Sequence, residues 1–540
     1  MSAPPPHPTT PRISGRRRRR AALATGAVAA AALVLWAGAL AWGNSPGGRA
    51  FLRDRAVRAL EKRFGKVEVG DAGLDLLLRA RLSPVAVASR DGSPLLRAER
   101  VVVRPRLLTL LRGKVEPASV ALHRAVFRPG PDGEGIGPLD LYADLDGDGV
   151  SGVRVGLPGG GHLDARVRRD GDALAFQAQG SLGLPDDLPH ALAARLPLLP
   201  SGHVTLRADG RASADGRGAS GDVTVRAAGL SLAGERAGPS PLGPFDVAFA
   251  GGLSWDGAAA RVRLRDGRLT LGDDPAVGAG LEADVSLRGE RRFSVSANAA
   301  QVPWNALVAA LPSDLGPPPA APAVSGNLSA RASVSGAAGR RGDWAVQVDL
   351  DLDDLRRAAR AAGPTRLASG FEWTAIDVPP GERPRRIAVG PGNPAFLPYP
   401  EIPQVLVRAV TASEDGGFFG HRGFDFKEIA NAVTDPDRVR GASTITQQLA
   451  KNLFLSPERT LARKVREALG TIALEASLPK GRLMEIYLNI AEWGPNGYGA
   501  GEAARFWFGK DARELTPREA AFLATVIPSP RHAHARLHRQ

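Results

Sequence analysis

The residue types best suited to chemistry fall after Glu401, in five short segments. The first is Glu414-Asp415-Gly-Gly-Phe418-Phe419-Gly-His421-Arg-Gly423-Phe-Asp425, two adjacent acids followed by two rings and a histidine. A carboxylate held against apolar rings keeps its proton to higher pH and can act as acid or base near neutrality. The second, Gly441-Ala-Ser443-Thr444-Ile-Thr446-Gln447-Gln448-Leu-Ala-Lys451-Asn452, concentrates hydroxyls and amides. On a helix Thr444, Gln448 and Lys451 share one face, a surface suited to sugar or phosphate. The third, Arg463-Lys464-Val-Arg466-Glu467, sets two cations one helical turn before a carboxylate, a cationic site for phosphate that the acid orients. The fourth runs from Lys480 to Glu485-Ile-Tyr487-Leu-Asn489 and the fifth from Ala491-Glu492-Trp493-Gly494 to Gly497-Tyr498-Gly499. Each has a plainer reading. An acidic pair is usually a solvated surface, the hydroxyl cluster is a helix start capped by Ser443, and the third segment is an ordinary surface ion pair.

These segments lie in a helical pattern that begins at Ile402. Before it, Pro317–Pro319 with Pro322, and the stretch from Ala358 to Pro384 with Pro379 and Pro380, read as semi-rigid Pro-rich hinges. From Val67 onward the period is two, as in Val85/Val87, Val101/Val103, Val204/Leu206, Val223/Val225, Leu269/Leu271 and Val346/Val348/Leu350, with GD, DG and GE turns between. This predicts consecutive antiparallel strands, each with one apolar face. Segments 181–200 and 301–316 interrupt the alternation as short helices. Asp144, Asp146, Asp148 and Gly149 match the opening of a calcium loop, but its twelfth position is Val155 where a bidentate Glu belongs, which favours an acidic surface turn. Phe51, Leu52, Val57, Leu60 and Phe64 predict a short amphipathic helix over 50–64.

At the start, Arg16–Arg20 precede an uncharged run, Ala21–Gly43. About 20 apolar residues cross a bilayer, and a basic flank stays in the cytoplasm. The run is longer than the apolar part of a cleaved signal peptide. The expectation is therefore an uncleaved single-pass helix in the cytoplasmic (inner) membrane, N-terminus inside and catalytic residues outside the cytoplasm, with Trp42 as an interface anchor. The resulting organisation is multidomain: a basic tail at 1–20, a transmembrane helix at 21–43, a β-rich extracytoplasmic region at 45–355, a Pro-rich linker at 356–394 and a catalytic domain at 395–540.

Composition narrows the class. With 540 residues, 43% of them apolar, a sizeable core is available, and 64 Gly with 44 Pro favour short strands and turns over a helical bundle throughout. There is no cysteine, which excludes disulfides and thiolate sites. The net charge of +14 includes six Arg in residues 1–20. The remainder is mildly basic, with no aromatic-interleaved stripe of the kind that reads nucleic acid.

Taken together and in this order, the segments resemble the peptidoglycan glycosyltransferases of glycosyltransferase family 51, whose series E-D-x-x-F-x-x-H-x-G-x-D, G-x-S-T-x-x-Q-Q, R-K-x-x-E and E-x-Y-L-N is intact here. The surrounding wording, such as QQLAKNLFLSPERT and IYLNIAEWG, is similar to the monofunctional biosynthetic transglycosylase branch, over about residues 395–531. The resemblance implies a mostly α-helical, lysozyme-like catalytic domain that polymerises lipid II onto a nascent glycan strand, for cell-wall biogenesis and cell shape. By motif position it makes Glu414 the general base and Glu467 the second catalytic carboxylate, near the donor's pyrophosphate. Lys451, Arg463 and Lys464 then steady the departing diphosphate, Thr444 and Gln448 hold donor sugar or phosphate, and Asp415, Phe418, His421 and Ser443 complete the substrate site. No cofactor is required; a divalent cation, Mg or Mn, is an optional stimulant, and no metal cage is visible. The stretch from the anchor through GDAGLDLLLRARLSPVAV resembles the opening of AsmA-like envelope proteins, which build apolar β-grooves associated with lipid handling. A β-rich spacer, or a region that contacts other cell-wall proteins, is the alternative.

Two departures stand out. Asp435-Pro-Asp437 makes the approach to the second motif acidic and tight, and the chain stops at Gln540 where the family commonly adds a helix. No S-x-x-K, S-x-N and K-T-G transpeptidase set follows. The rivals are a lytic glycan-cleaving enzyme, which would not need the Gln-Gln-x-x-Lys and Arg-Lys apparatus, and a non-catalytic lipid-transfer or scaffold protein. Since every motif residue follows Glu401, the β-rich region is expected to be dispensable for chemistry.

Overall fold

The structure, a computed structural model, describes residues 30 and 32–531 except 63–64, 90–91, 107–108, 110–115, 129–135, 147–148, 189–192, 195, 214, 216, 379–380, 382, 436–440, 442 and 495–496. The chain forms two compact units, Met1–Val167 with Asp187–Ala194, and Arg168–Asp186 with Arg195–Gln540.

In the first unit, helix α1 (Pro46–Glu61) is followed by β1 (Val67–Leu74), β2 (Ala80–Ala88), β3 (Pro94–Ala98), β4 (Arg100–Pro105), β5 (Pro117–Phe127), β6 (Ile136–Asp146), β7 (Gly149–Gly156) and β8 (His162–Asp170). All pairings are antiparallel. Strand β2 pairs with β1, β3 and β4, and β5 pairs with β3 and β4, so four short strands close on themselves. Their inward residues Leu82, Val85, Val87, Ala98, Val101 and Ala125 form a core against Leu52, Ala56 and Leu60 of α1. Asp144 and Asp146 are ladder residues of β6, and Asp146 pairs with Gly149; residues 147–148 lie outside the described ones.

The membrane expectation is corrected here. No helix among the described residues is long and apolar enough to cross a membrane. Residues 1–29 of the basic tail and apolar run lie outside the described ones. The described helical stretch 32–43, about 18 Å at 1.5 Å per residue, ends in a turn at Asn44 and Ser45. Asn44 still donates to the Leu40 carbonyl of the helix, and its side chain also donates to the Leu74 carbonyl at 2.9 Å and accepts the Leu74 N–H at 3.2 Å. Ser45 then caps α1, whose Arg49, Arg53, Asp54, Arg55 and Arg58 could not continue a span. Trp42 packs on Phe51 at 5.6 Å between ring centroids. A single-pass inner-membrane location therefore has no support from the helices described.

The second unit opens with nine strands, each antiparallel to the next: β9 (Ala173–Leu184), β10 (Leu199–Ser213), β11 (Gly218–Ala233), β12 (Leu242–Asp256), β13 (Arg261–Leu271), β14 (Gly278–Ser286), β15 (Arg292–Pro303), β16 (Asn327–Ala337) and β17 (Ala345–Asp351). The period of two is visible in β10, where Val204, Leu206 and Ala208 are half-buried while Thr205, Arg207 and Asp209 face water. The segment 189–192 and residue 195, read as part of a helix, lie outside the described residues; 301–316 does contain a helix, α2 (Trp304–Ala310). The fold class is corrected accordingly. Large antiparallel sheet dominates the chain, and no helix among the described residues supplies the transmembrane segment with which the expected class, a β-rich region followed by a mostly helical domain, began.

Helix α3 (Asp353–Ala362) follows β17, and residues 356–394, read as a linker, also hold the hairpin β18 (Phe371–Thr374) and β19 (Arg386–Val389). Among the described residues, seven α-helices complete the unit: α4 (Gln404–Glu414), α5 (Phe426–Thr434), α6 (Ile445–Phe454), α7 (Leu461–Ser477), α8 (Lys480–Ile490), α9 (Ala500–Phe508) and α10 (Pro517–Val526), with a short pair β20 (Glu492–Gly494) and β21 (Gly497–Tyr498) between α8 and α9. Their starts are chemically explicit. Thr444 with Gln447, and Thr516 with Glu519, form capping boxes, and Thr460 accepts from Arg463 N–H. The core joins Trp373, Ile387 and Val389 of the hairpin to Leu406, Val410, Phe418, Leu449, Leu474 and Tyr487. Each fully buried Leu or Val there contributes about 1.5–3 kcal/mol.

Candidate active site

Glu414 ends α4 and is half-buried. Its Oε2 accepts from Gln448 Nε2 at 2.9 Å, and its Oε1 accepts from Ser413 Oγ at 3.2 Å. Tyr487 Oη donates to Gln448 Oε1 at 2.9 Å, which fixes the amide so that its nitrogen faces Glu414. Burial pushes the Tyr487 phenol well above its ordinary value, with Glu414 adding to the shift, so the phenol stays a donor. Two of the predicted motifs and one residue of the fourth thus meet in a single hydrogen-bonded chain.

Asp415, Phe418, His421 and Thr444 sit within the scaffold. Asp415, 4% exposed, accepts the first N–H of α6, from Ile445, at 2.9 Å, a carboxylate at a helix N-terminus. His421 Nδ1 accepts from Gly423 N–H at 3.1 Å, which leaves Nε2 to donate to Asp415 at 2.7 Å. Thr444, not Ser443, caps α6, and its hydroxyl donates to the Gly423 carbonyl at 2.6 Å. Phe418 is fully buried, with Lys480 Nζ 4.4 Å from its ring centre. The groups that hold Glu414 are the donors Gln448 and Ser413, and Phe419, expected beside it, is exposed.

On α7, Glu467 is buried and takes both cations of its motif: Arg463 Nη1 at 2.5 Å, and Lys464 Nζ, which also reaches Ser443 Oγ at 3.3 Å. The carboxylate therefore aims two cations that would otherwise sample many rotamers.

Two cavities flank this arrangement. One of about 270 Å³ is lined by Glu414, Lys427, Glu428, Ser443 and Thr444. The other, about 430 Å³, is lined by Gln448, Lys451, Asn452, Arg459, Tyr487 and Arg531 among others. Glu414 and its partner Gln448 lie where the linings approach each other. Lys451 thus faces the second cavity with Arg459, a residue that sequence reasoning missed although it stands eight positions on in the quoted SPERT wording. Tyr487 was also missed as a site residue; its signal was the E-x-Y-L-N segment itself. Glu485 and Asn489 of that segment hold the approach to α4, through Tyr399 N–H at 2.6 Å and both polar groups of the Leu397 backbone at 2.9 Å. Among the described residues no group of three or more His, Asp or Glu could hold a metal ion. Asp435 lies at the C-cap of α5, and Asp437 lies outside the described residues.

A site of this composition on this helical framework defines a transglycosylase domain, and the sequence profile described as Transglycosylase matches residues 386–540. The chain is 44% identical over 172 residues to the biosynthetic peptidoglycan transglycosylase of Rhodospirillum centenum, covering 73% of that protein and 31% of this chain. It is 49% identical over 140 residues to the protein of that name from Azoarcus sp. (strain BH72), covering 61% and 25%. For Nitrobacter winogradskyi the figures are 43% over 156 residues, 69% and 28%. The chain belongs to the biosynthetic peptidoglycan transglycosylase family. It spans between about three-fifths and three-quarters of the length of these relatives.

Proposed function

We propose that the protein polymerises lipid II into β-1,4-linked glycan with release of undecaprenyl diphosphate. Glu414 accepts the proton of the acceptor's 4-hydroxyl as that oxygen bonds to the donor's anomeric carbon. The bond from that carbon to the diphosphate oxygen breaks, and its electron pair leaves with the diphosphate, inverting the centre. A diphosphate gains charge as it departs, so preorganised cations matter more than an acid. Both substrates carry a lipid diphosphate, and the cations fall into two sets, Arg463 with Lys464 on Glu467, and Lys451 with Arg459 in the larger cavity. We assign Arg463, Lys464 and Lys451 to the departing donor diphosphate, with Arg459 beside Lys451.

The observation that carries this reading is the Glu414 carboxylate, which lines one cavity, is held by Ser413 and by Gln448 of the other cavity, and among the described residues accepts no hydrogen bond from a cation. Purified full-length protein given lipid II should yield muramidase-sensitive polymer. Shortening of preformed glycan without synthesis would favour the lytic reading, and neither activity would favour a lipid-binding scaffold. The AsmA-like reading of the β-rich region, lipid handling on an apolar face, rests on the half-buried alternation of strands such as β10.

A further inference from the structure

Helix α7 has two working sides. One carries Arg463, Lys464 and Glu467. The other is apolar and is covered by the end of the sheet. Leu469, Ala473 and Ala476 share a core with Val302, Trp304, Leu328, Leu352 and Leu355, and Val465 packs with Leu242 and Leu315. The Pro-rich segment read as a hinge lies on the same helix, with Pro318 close to Gly470.

Both ends of α7 are also held by backbone bonds from this region. At the start, Leu461 N–H donates to the Arg236 carbonyl at 2.8 Å. In the last turn Arg356, on α3, donates from Nε to the Glu475 carbonyl at 3.1 Å, satisfying a carbonyl that the helix itself leaves unpaired. Its Nη2 reaches Glu475 Oε2 at 3.3 Å. The Glu475 side chain is wholly buried, and its other oxygen accepts from Thr446 of α6 at 2.6 Å and from Lys480 at 2.7 Å. Burial lowers the Lys480 ammonium from its ordinary value, opposed by Glu475. Glu475 therefore sets the register of α7, bearer of Glu467, against α6, bearer of Gln448.

We propose that the end of the β-rich region is a working part of the transglycosylase site, and that Arg356 is a positioning residue which acts through Glu475 on the two helices carrying Gln448 and the Arg463–Lys464–Glu467 group. This runs against the expectation that the region is dispensable for chemistry. It rests on the proposed polymerase reading only for its kinetic arm.

The test uses full-length protein and three variants, Arg356→Ala, Arg356→Lys and, as control, Arg357→Ala, whose exposed side chain pairs with Asp354 one turn away on α3. Hydrogen exchange of peptides covering 461–477 should quicken in Arg356→Ala and not in Arg357→Ala. With lipid II, Arg356→Ala should lose about ten- to a hundredfold in kcat, as expected of a small misplacement of charged groups. Its KM should stay within about twofold, because binding contacts are intact. Arg356→Lys, which keeps a cation and one bond, should recover most of the loss while remaining folded. Unchanged exchange of 461–477 in a folded Arg356→Ala overturns the proposal whatever the activity. So does wild-type kcat, or a loss accounted for by the unfolded fraction and not recovered by lysine. If wild-type protein makes no polymer, the functional reading fails, and the exchange arm still decides the brace.

Discussion

Glu414 and Glu475 lie on helices of the same domain and have opposite surroundings. Glu475 is wholly buried and meets Arg356, Lys480 and Thr446. Glu414 opens on a cavity and, among the described residues, accepts from the neutral groups Gln448 and Ser413. A buried carboxylate met by two cations and a hydroxyl from other elements serves as a rivet. One that opens on a cavity is placed to meet a substrate hydroxyl, the role proposed for Glu414. Glu467, with Arg463 and Lys464, is intermediate: buried like Glu475, yet holding a lysine that reaches Ser443 in the lining of the smaller cavity.

The contrast breaks most visibly if the rivet is removed. Glu475→Ala would leave Lys480 buried and Thr446 without its acceptor, and the cost should be about 3–5 kcal/mol, as for breaking a buried pair. A denaturant titration within about 1 kcal/mol of wild type would remove Glu475 from the scaffold. Next in size, Arg463→Ala or Lys464→Ala should lower kcat/KM about a hundredfold, the loss typical of one charge-stabilising donor, and should weaken inhibition by a phosphoglycolipid donor mimic. Normal turnover with normal inhibition would take the diphosphate away from this pair. Tyr487→Phe removes one hydrogen bond from Gln448 and frees its amide to turn; up to about a tenfold loss of kcat is expected, with stability little changed. A larger fall in melting temperature than in kcat would make Tyr487 a packing residue.

The smallest effect lies at a helix start. Lys510, and after it Thr516, hold the Glu519 carboxyl down to about 2 from 4.5. An acid whose folded value is depressed adds stability above its unfolded value and loses it as pH falls through the folded one. The melting-temperature gap between wild type and Glu519→Gln should therefore be full near neutrality and shrink between pH 4.5 and about 2. A gap independent of pH would assign the cap's contribution to geometry alone.

Much of this was legible in the sequence where local rules suffice. Val204/Leu206 and Val223/Val225 announce strands because alternation is a property of neighbours. The four motifs announce the site because their spacing survives folding. Thr444, with Gln447 three residues on, also announces a helix start, although Ser443 was the residue first read as its cap. What the sequence hid depends on distant partners. The Arg356–Glu475 pair joins residues 119 positions apart, and nothing near either names the other. Val465, Leu469 and Ala473 bury against residues of the sheet end, and no local pattern names those partners. The apolar run Ala21–Gly43 read as a span because hydropathy is additive, and the described part of it ends where Asn44 finds partners on β1.

The most direct measurement places Glu414→Gln beside Glu475→Gln in the full-length protein and follows both polymer yield from lipid II and the thermal melt. If the carboxylate held by neutral donors is the base, Glu414→Gln melts like wild type and loses about a hundredfold or more of its turnover, while Glu475→Gln loses stability first. A folded Glu414→Gln that keeps more than a few per cent of wild-type turnover would contradict that assignment.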